Sequence, residues 1–298
     1  MHSVIHSRRS LNVATYISET VDVEYVDGEQ ARYGYRQFGP RTGVPLVLLH
    51  RYRGTLDDWD PKLLDLLSAD RHVIAVDNVG VGYSTGDAPD NAAAMADGVA
   101  DFLRAAGFAT VDLLGWSMGG FVTQMVALNH PELVRRIVVA GSGPGEPSIR
   151  PPEDPRSLEI RPKVAPLLEE TLLLFYPDDE DGRRVGREAT ERFYHHESGE
   201  VRFTKESSWR NQAIAIDAWN AGENSAWNRL EELTKPTFVA NGSHDIMEDS
   251  VQSFEMVRKL PNAVMTLFSR SGHAFLFQYP DLFAKLTQEF LDDDTFAD

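Results

Sequence analysis

Cysteine is absent from the 298-residue chain, which excludes disulfides, thiolate metal sites and a cysteine nucleophile. Covalent catalysis would have to run through Ser, Thr, Lys, His, Tyr or a carboxylate. A disulfide-free chain fits a reducing compartment, and the location read from this is cytoplasmic. No apolar run approaches the roughly 18 to 20 residues of a membrane span, and residues 1–20 lack the continuous apolar stretch of a signal peptide. Positive charge is also scarce: 29 Lys and Arg face 46 Asp and Glu, a formal net charge of −17. Such a surface repels nucleic-acid phosphates and anionic membranes and favours solubility. The expected partner is a small-molecule substrate, with no nucleic acid and no membrane; a homodimer is compatible with the composition.

What is present is an ordinary globular composition, 42% hydrophobic, arranged as strands alternating with helices. Residues 21–26 alternate apolar and acidic side chains, Asp27-Gly28 supplies a turn, and residues 32–38 read as the second strand of a hairpin. Short runs of Val, Ile and Leu at 44–49, 73–76, 111–114 and 137–140 have the character of strands buried on both faces. Between them, apolar spacings of three and four predict helices at 57–67, 92–106 and 118–129. Residues 143–155 are rich in Gly and Pro, and helical stretches without a buried strand follow to 229. Alternation resumes with a strand at 237–240, a helix at 250–259, a strand at 264–268 and a helix at 280–291. The fold class expected is α/β, a mostly parallel central sheet flanked by helices. Residues 21–142 and 230–298 would form its core, 143–229 a helical cap or lid, and 1–20 an N-terminal extension.

Gly115-Trp116-Ser117-Met118-Gly119-Gly120 follows one buried strand and opens a helix. A serine on such a tight turn can expose its oxygen above the sheet, and glycines let the turn close. A serine hydroxyl is a poor nucleophile until a base takes its proton. His273, in Ser271-Gly272-His273, follows the last predicted strand, on the sheet edge that would carry Ser117. His2, His6, His72, His130, His195 and His196 read as surface or packing residues, and His244 as a loop residue or part of the site wall. Asp245 leaves the strand at 237–240 on that same edge and is the candidate acid that would orient His273; Glu248 and Asp249 are the alternatives, or else caps of the next helix. His195-His196 lacks the i, i+4 spacing of a helical metal pair, and Gly80 and Gly82 do not make a G-x-G-x-x-G fingerprint. Neither metal nor cofactor is expected.

With the order Ser117, Asp245, His273, the chain resembles the α/β-hydrolase superfamily from about residue 21 to 291. Two further segments agree: His50 at the end of the third strand, and the run Asp77-Asn78-Val79-Gly80-Val81-Gly82-Tyr83-Ser84. The resemblance implies a nucleophile Ser117, a base His273 and an acid Asp245. It also implies an oxyanion hole from the backbone amides of Tyr52 and Met118, with Arg51 as the alternative to Tyr52. The family usually carries glycine directly after the histidine, whereas this chain reads His50-Arg51-Tyr52-Arg53-Gly54. The family's cap falls where residues 143–229 lie, and its aromatics, Phe175, Tyr176, Phe193, Tyr194, Trp209, Trp219 and Trp227, could enclose an apolar group. Arg51, Trp116 and Trp219 are the candidate substrate-binding residues, and Trp59 is another aromatic near the oxyanion loop. The activity implied is hydrolysis of a carboxylic ester or lactone through an acyl-enzyme. Carbon–carbon bond hydrolysis, perhydrolysis or cyanohydrin cleavage are alternatives on the same triad, and a hydrolase-like ligand receptor is an alternative of another class.

Overall fold

The computed structural model describes residues 16–146, 149, 151–193 and 202–296. Eight strands form one sheet: β1 (Glu24–Asp27), β2 (Arg32–Phe38), β3 (Leu46–Leu49), β4 (Val73–Val76), β5 (Val111–Trp116), β6 (Val134–Ala140), β7 (Thr237–Gly242) and β8 (Ala263–Phe268). Their spatial order is β1-β2-β4-β3-β5-β6-β7-β8. The β1–β2 and β2–β4 pairs are antiparallel, and every other pair is parallel. The hairpin expected from the Asp27-Gly28 turn is the antiparallel edge.

The strands of the centre are apolar at consecutive positions because both faces are covered. Val47, Leu49, Ile74, Val76, Leu113 and Val139 face one cluster with α2 (Ala92–Ala105), α3 (Met118–Asn129) and α8 (Ser250–Lys259). Leu46, Leu48, Val73, Ala75, Leu114 and Val138 face the other, with α1 (Pro61–Ser68), α9 (Phe275–Gln278) and α10 (Pro280–Asp292). Each such Val, Leu or Ile side chain taken from water contributes about 1.5 to 3 kcal/mol, so the alternation within β3 and β4 fixes which helix goes to which face.

One expected helix is divided. Residues 57–67 give a 3-10 turn at Leu56–Asp58 and then α1, because Pro61 cannot continue a preceding helix but suits a first helical position. Asp60 caps α1 by accepting from the Lys62 amide at 2.9 Å. Among the described residues between β6 and β7 lie four α-helices, α4 (Pro155–Ile160), α5 (Leu168–Phe175), α6 (Glu180–Phe193) and α7 (Glu206–Asn220). No helix among the described residues is long and apolar enough to cross a membrane.

Candidate active site

Ser117 stands at the junction of β5 and α3 with φ 57° and ψ −123°, a conformation that costs an L-residue on the order of 1 to 3 kcal/mol. The turn is held from both sides, by Ser117 N–H on the Ala140 carbonyl (2.9 Å) and Gly120 N–H on the Ser117 carbonyl (2.8 Å). Its glycines are required by close approach: a Cβ on Gly115 would sit 2.2 Å from the Gly119 oxygen, and one on Gly119 would sit 2.1 Å from the Leu49 oxygen. A serine in the N-cap position ordinarily caps its helix with its hydroxyl. Ser117 makes no such bond, so its oxygen is not committed to α3.

The loops after β7 and β8 are tied together, with Ser243 N–H donating to the Phe268 carbonyl (2.9 Å) and His244 N–H to that of Ser271 (2.8 Å). This brings Asp245 and His273 into contact: His273 Nδ1–H donates to Asp245 Oδ2 at 2.7 Å, and both side chains are wholly buried. The carboxylate acceptor assigns that proton to Nδ1. Asp245 Oδ1 accepts from the amides of Met247 and Glu248, each at 2.9 Å, which fixes the carboxylate. Among the described residues His273 Nε2 is buried with no hydrogen-bond partner. The His273 backbone is anchored beside Ser117, since Trp116 Nε1–H donates to the His273 carbonyl at 3.0 Å. Of the alternative residues, Asp249 caps α8 on the Val251 amide (2.8 Å), and Glu248 donates its backbone amide to Asp245 while its carboxylate accepts from Gln252 Nε2 at 3.4 Å. His244 is exposed, with Nδ1 2.8 Å from Ser243 Oγ. His72 meets Gln37, and His130 meets Asp97. His2, His6, Tyr194, His195 and His196 lie outside the described residues.

The loop after β3 starts beside the Ser117 turn, because Leu49 is paired with Gly115 across the β3–β5 ladder. His50 packs between Trp59 and Trp116, with ring centroids 4.6 and 5.3 Å away. Burial, reinforced by the nearby Arg51 charge, holds its pKa well below the usual histidine value. Arg51 N–H donates to His50 Nδ1 at 2.9 Å, so that amide is already engaged. Gly54 N–H closes the turn on the Arg51 carbonyl at 3.0 Å. A Cβ on Gly54 would fall 1.9 Å from His50 Nδ1, so the glycine that this loop needs is at 54 rather than 51. The Tyr52 amide has no partner among the described residues, and the Met118 amide, first in α3, has no intrahelical acceptor.

Next to the turn lies a cavity of about 230 Å³ lined by Trp116, Phe175, Tyr176, Phe203, Phe277 and Arg51, with Asp57 and Asp58 at its wall. The Arg51 guanidinium lies 5.1 Å from the Phe175 ring and 5.7 Å from that of Trp116. One of its nitrogens donates to the Tyr52 carbonyl at 2.8 Å, and another is 3.7 Å from Asp58 Oδ1. Trp219, expected at the substrate, belongs to the packing: it is 1% exposed and stacks on Phe121 at 4.8 Å, away from the walls of this cavity. Trp209 packs under Arg53, Trp227 under Lys259, and Trp59 against His50.

The sequence reading missed Phe203 and Phe277 as cavity walls, and a buried cluster beneath them. Arg36 pairs with Asp57 at 2.7 Å, and Tyr83 Oη donates to Asp57 at 2.9 Å. An arginine at an inward position of the alternating strand β2 was the available signal. Asp77, in the glycine-rich turn, accepts from the amides of Leu56 and Tyr83, each at 2.8 Å. Burial pushes its carboxyl up to about 8, against the pull of those two amides. Among the described residues no group of three His, Asp or Glu is placed to hold a metal ion.

Comparison with known proteins agrees with this architecture. A putative 2-succinyl-6-hydroxy-2,4-cyclohexadiene-1-carboxylate synthase of Bacillus subtilis (strain 168) is 26% identical, over 91% of this chain and 98% of its own. A putative carbamate hydrolase RutD of Caulobacter sp. (strain K31) is 27% identical, over 85% and 92% respectively. Among solved structures, an alpha/beta hydrolase fold protein from Chitinophaga pinensis is 32% identical with a TM-score of 0.84, covering 92% of this chain and 98% of that one. The enol-lactonase from Burkholderia xenovorans LB400 shares the fold, with a TM-score of 0.72 at 20% identity, covering 91% of this chain and 100% of that one. The sequence profile of the alpha/beta hydrolase fold matches residues 44–280; with its eight-stranded sheet and flanking helices, the chain belongs to the α/β-hydrolase family.

Proposed function

We propose that this hydrolase cleaves a carboxylic ester or lactone of a small, partly apolar compound through an acyl-enzyme on Ser117, His273 and Asp245. The observation that carries the reading is the buried His273–Asp245 bond of 2.7 Å, which leaves Nε2 unpartnered among the described residues. Ser117 Oγ adds to the carbonyl carbon as its proton passes to His273 Nε2, and Asp245 stabilises the imidazolium. The carbonyl oxygen becomes an oxyanion held by the amides of Tyr52 and Met118, each donor being worth about 3 kcal/mol in the transition state. Collapse breaks the bond to the leaving alkoxide, which takes the proton from His273. Water then loses a proton to His273, adds to the acyl carbon and releases the acid, restoring the Ser117 hydroxyl. The aromatic cavity beside Trp116 is the site for the apolar part of the substrate, with Arg51 in its wall. The reaction requires only water, and its cytoplasmic setting rests on the absence of cysteine.

Carbon–carbon hydrolysis is the second reading. It is favoured by similarity to a 2-hydroxy-6-oxononadienedioate/2-hydroxy-6-oxononatrienedioate hydrolase of Burkholderia vietnamiensis (strain G4 / LMG 22486), 26% identical over 92% of this chain and 97% of its own. The test is turnover of p-nitrophenyl butyrate at neutral pH together with labelling by a fluorophosphonate. Ser117→Ala is expected to lose at least about a thousandfold in kcat, and wild type but not His273→Ala to take the label. Equal turnover by wild type and Ser117→Ala would overturn the assignment.

A further inference from the structure

One residue of the loop after β3 sits in a left-handed conformation that contacts from a distant segment reinforce. Arg53 has φ 64° at the third position of the turn closed between Arg51 and Gly54, where glycine or asparagine is the usual occupant. A larger side chain there is strained and persists only where its surroundings over-determine it. The determining contacts come from the segment between β6 and β7. Arg53 N–H donates to Gln212 Oε1 on α7 at 2.9 Å, and the Arg53 carbonyl accepts from Thr204 Oγ1 at 3.0 Å. Its guanidinium donates to the carbonyls of Lys163 and Val164 at 2.7 and 2.8 Å and lies 4.6 Å from the Trp209 ring.

Gln212 is 2% exposed, and it shares the wall of a small cavity of about 30 Å³ with Arg51, Gly54, Met118 and Gly119. It therefore adjoins both the loop and the start of α3. Its acceptor engages the N–H of the peptide unit that directly follows Tyr52. Fixing that plane restricts the backbone of Tyr52 and thereby the direction of the Tyr52 amide. The base of α7 is also anchored to the core independently, through Ser208 Oγ, which accepts from the Ala88 amide at 3.1 Å, and Asn211 Nδ2, which donates to the Ala88 carbonyl at 2.8 Å.

We propose that Gln212 is a positioning residue that aims the Tyr52 amide at the oxyanion by holding Arg53 N–H, so that docking of α7 completes the hydrolytic site. This rests on the Ser117 acyl-enzyme reading. The segment above the sheet then acts on the chemical step as well as on substrate fit.

The experiment compares wild type with Gln212→Met, which keeps the length but removes the acceptor, and with Gln212→Glu, which keeps an acceptor. The readouts are kcat and KM for p-nitrophenyl butyrate, the affinity of an alkyl trifluoromethyl ketone that forms a tetrahedral adduct with the serine, and the thermal midpoint. Loss of alignment at one oxyanion donor predicts a kcat lower by about 10- to 100-fold in Gln212→Met. KM should stay within about twofold, and ketone affinity should fall by a factor similar to that in kcat. Gln212→Glu should recover most of both losses. If Gln212→Met does not fold, Thr204→Val, which removes the bond to the Arg53 carbonyl, should show a smaller fall of the same kind. Wild-type kcat and ketone affinity in folded Gln212→Met, or a change in KM alone, would overturn the proposal while a dead Ser117→Ala leaves the underlying reading intact. Turnover that does not depend on Ser117 would instead overturn that reading.

Discussion

His50 shows how a residue outside the proposed triad can govern the site. It accepts the Arg51 amide through Nδ1 at 2.9 Å, which requires a neutral ring, and its burial between two tryptophans keeps it neutral. Its pKa in the fold lies well below the ordinary value of 6.5. As pH falls through about 6.5 the unfolded chain takes up this proton while the folded chain does not. The stability associated with neutral His50 is therefore complete above about 6.5 and lost below it. His72 acts in the same direction, because burial lowers it too. Urea unfolding at pH 7.5 and 5.5 should show wild type losing about 1 kcal/mol more than His50→Asn, which retains an acceptor but does not titrate. Equal losses would mean that His50 does not set the slope. Asp77 has the opposite sense: with its carboxyl raised to about 8, the stability it confers is present in acid and is lost as pH rises towards about 8.

At the scale of elements, the start of α3 presses against the end of β3. The added Cβ of Gly119→Ala would meet the Leu49 oxygen at 2.1 Å and the His50 oxygen at 2.8 Å, backbone atoms that have no rotamer with which to retreat. We expect Gly119→Ala to lower stability by about 2 to 3 kcal/mol, seen as a thermal midpoint depressed by roughly 5 °C or more. An unchanged midpoint would contradict the close approach.

The same contrast between local and distant constraints explains what was legible in the sequence. The helices at 118–129 and 250–259 and the strand at 73–76 coincide with observed elements, because periodicity and flanking residues are local signals. The division of the helix expected at 57–67 was legible in Pro61 but outweighed by its apolar spacing. Ser117, Asp245 and His273 could be proposed because each follows a predicted strand at the same edge of the sheet, although only the first two of those strands are buried. Trp219 could not be assigned to Phe121 rather than to the cavity, nor Arg53 to Gln212, since those partners are about 100 or more residues apart and leave no pattern in either segment. The replacement of a glycine at 51 by one at 54 was visible as a departure; its reason, the nearness of Gly54 to His50 Nδ1, appears only in three dimensions.

Across the whole molecule, the charge of −17 creates self-repulsion that opposes compactness. Many described ion pairs are exposed and local, such as Arg184–Glu188 and Arg210–Glu206, and each contributes at most a few tenths of a kcal/mol. Screening of the net charge should therefore outweigh the loss of these pairs. Raising NaCl from 10 to 150 mM shortens the screening length from about 30 to about 8 Å, and the thermal midpoint should rise by roughly 2 to 4 °C, equivalent to about 1 kcal/mol. A falling midpoint would show that the ion pairs dominate.

The long segment between β6 and β7 also divides the chain in time. Ser117 leaves the ribosome about 156 residues before His273, and at 5 to 20 residues per second that interval is roughly 8 to 30 s. On the proposed mechanism the nascent chain carries an unarmed serine throughout that interval, and β7 and β8 must join the sheet before it can react. Emergence of the last quarter of the chain would then act as the molecule's own safety catch.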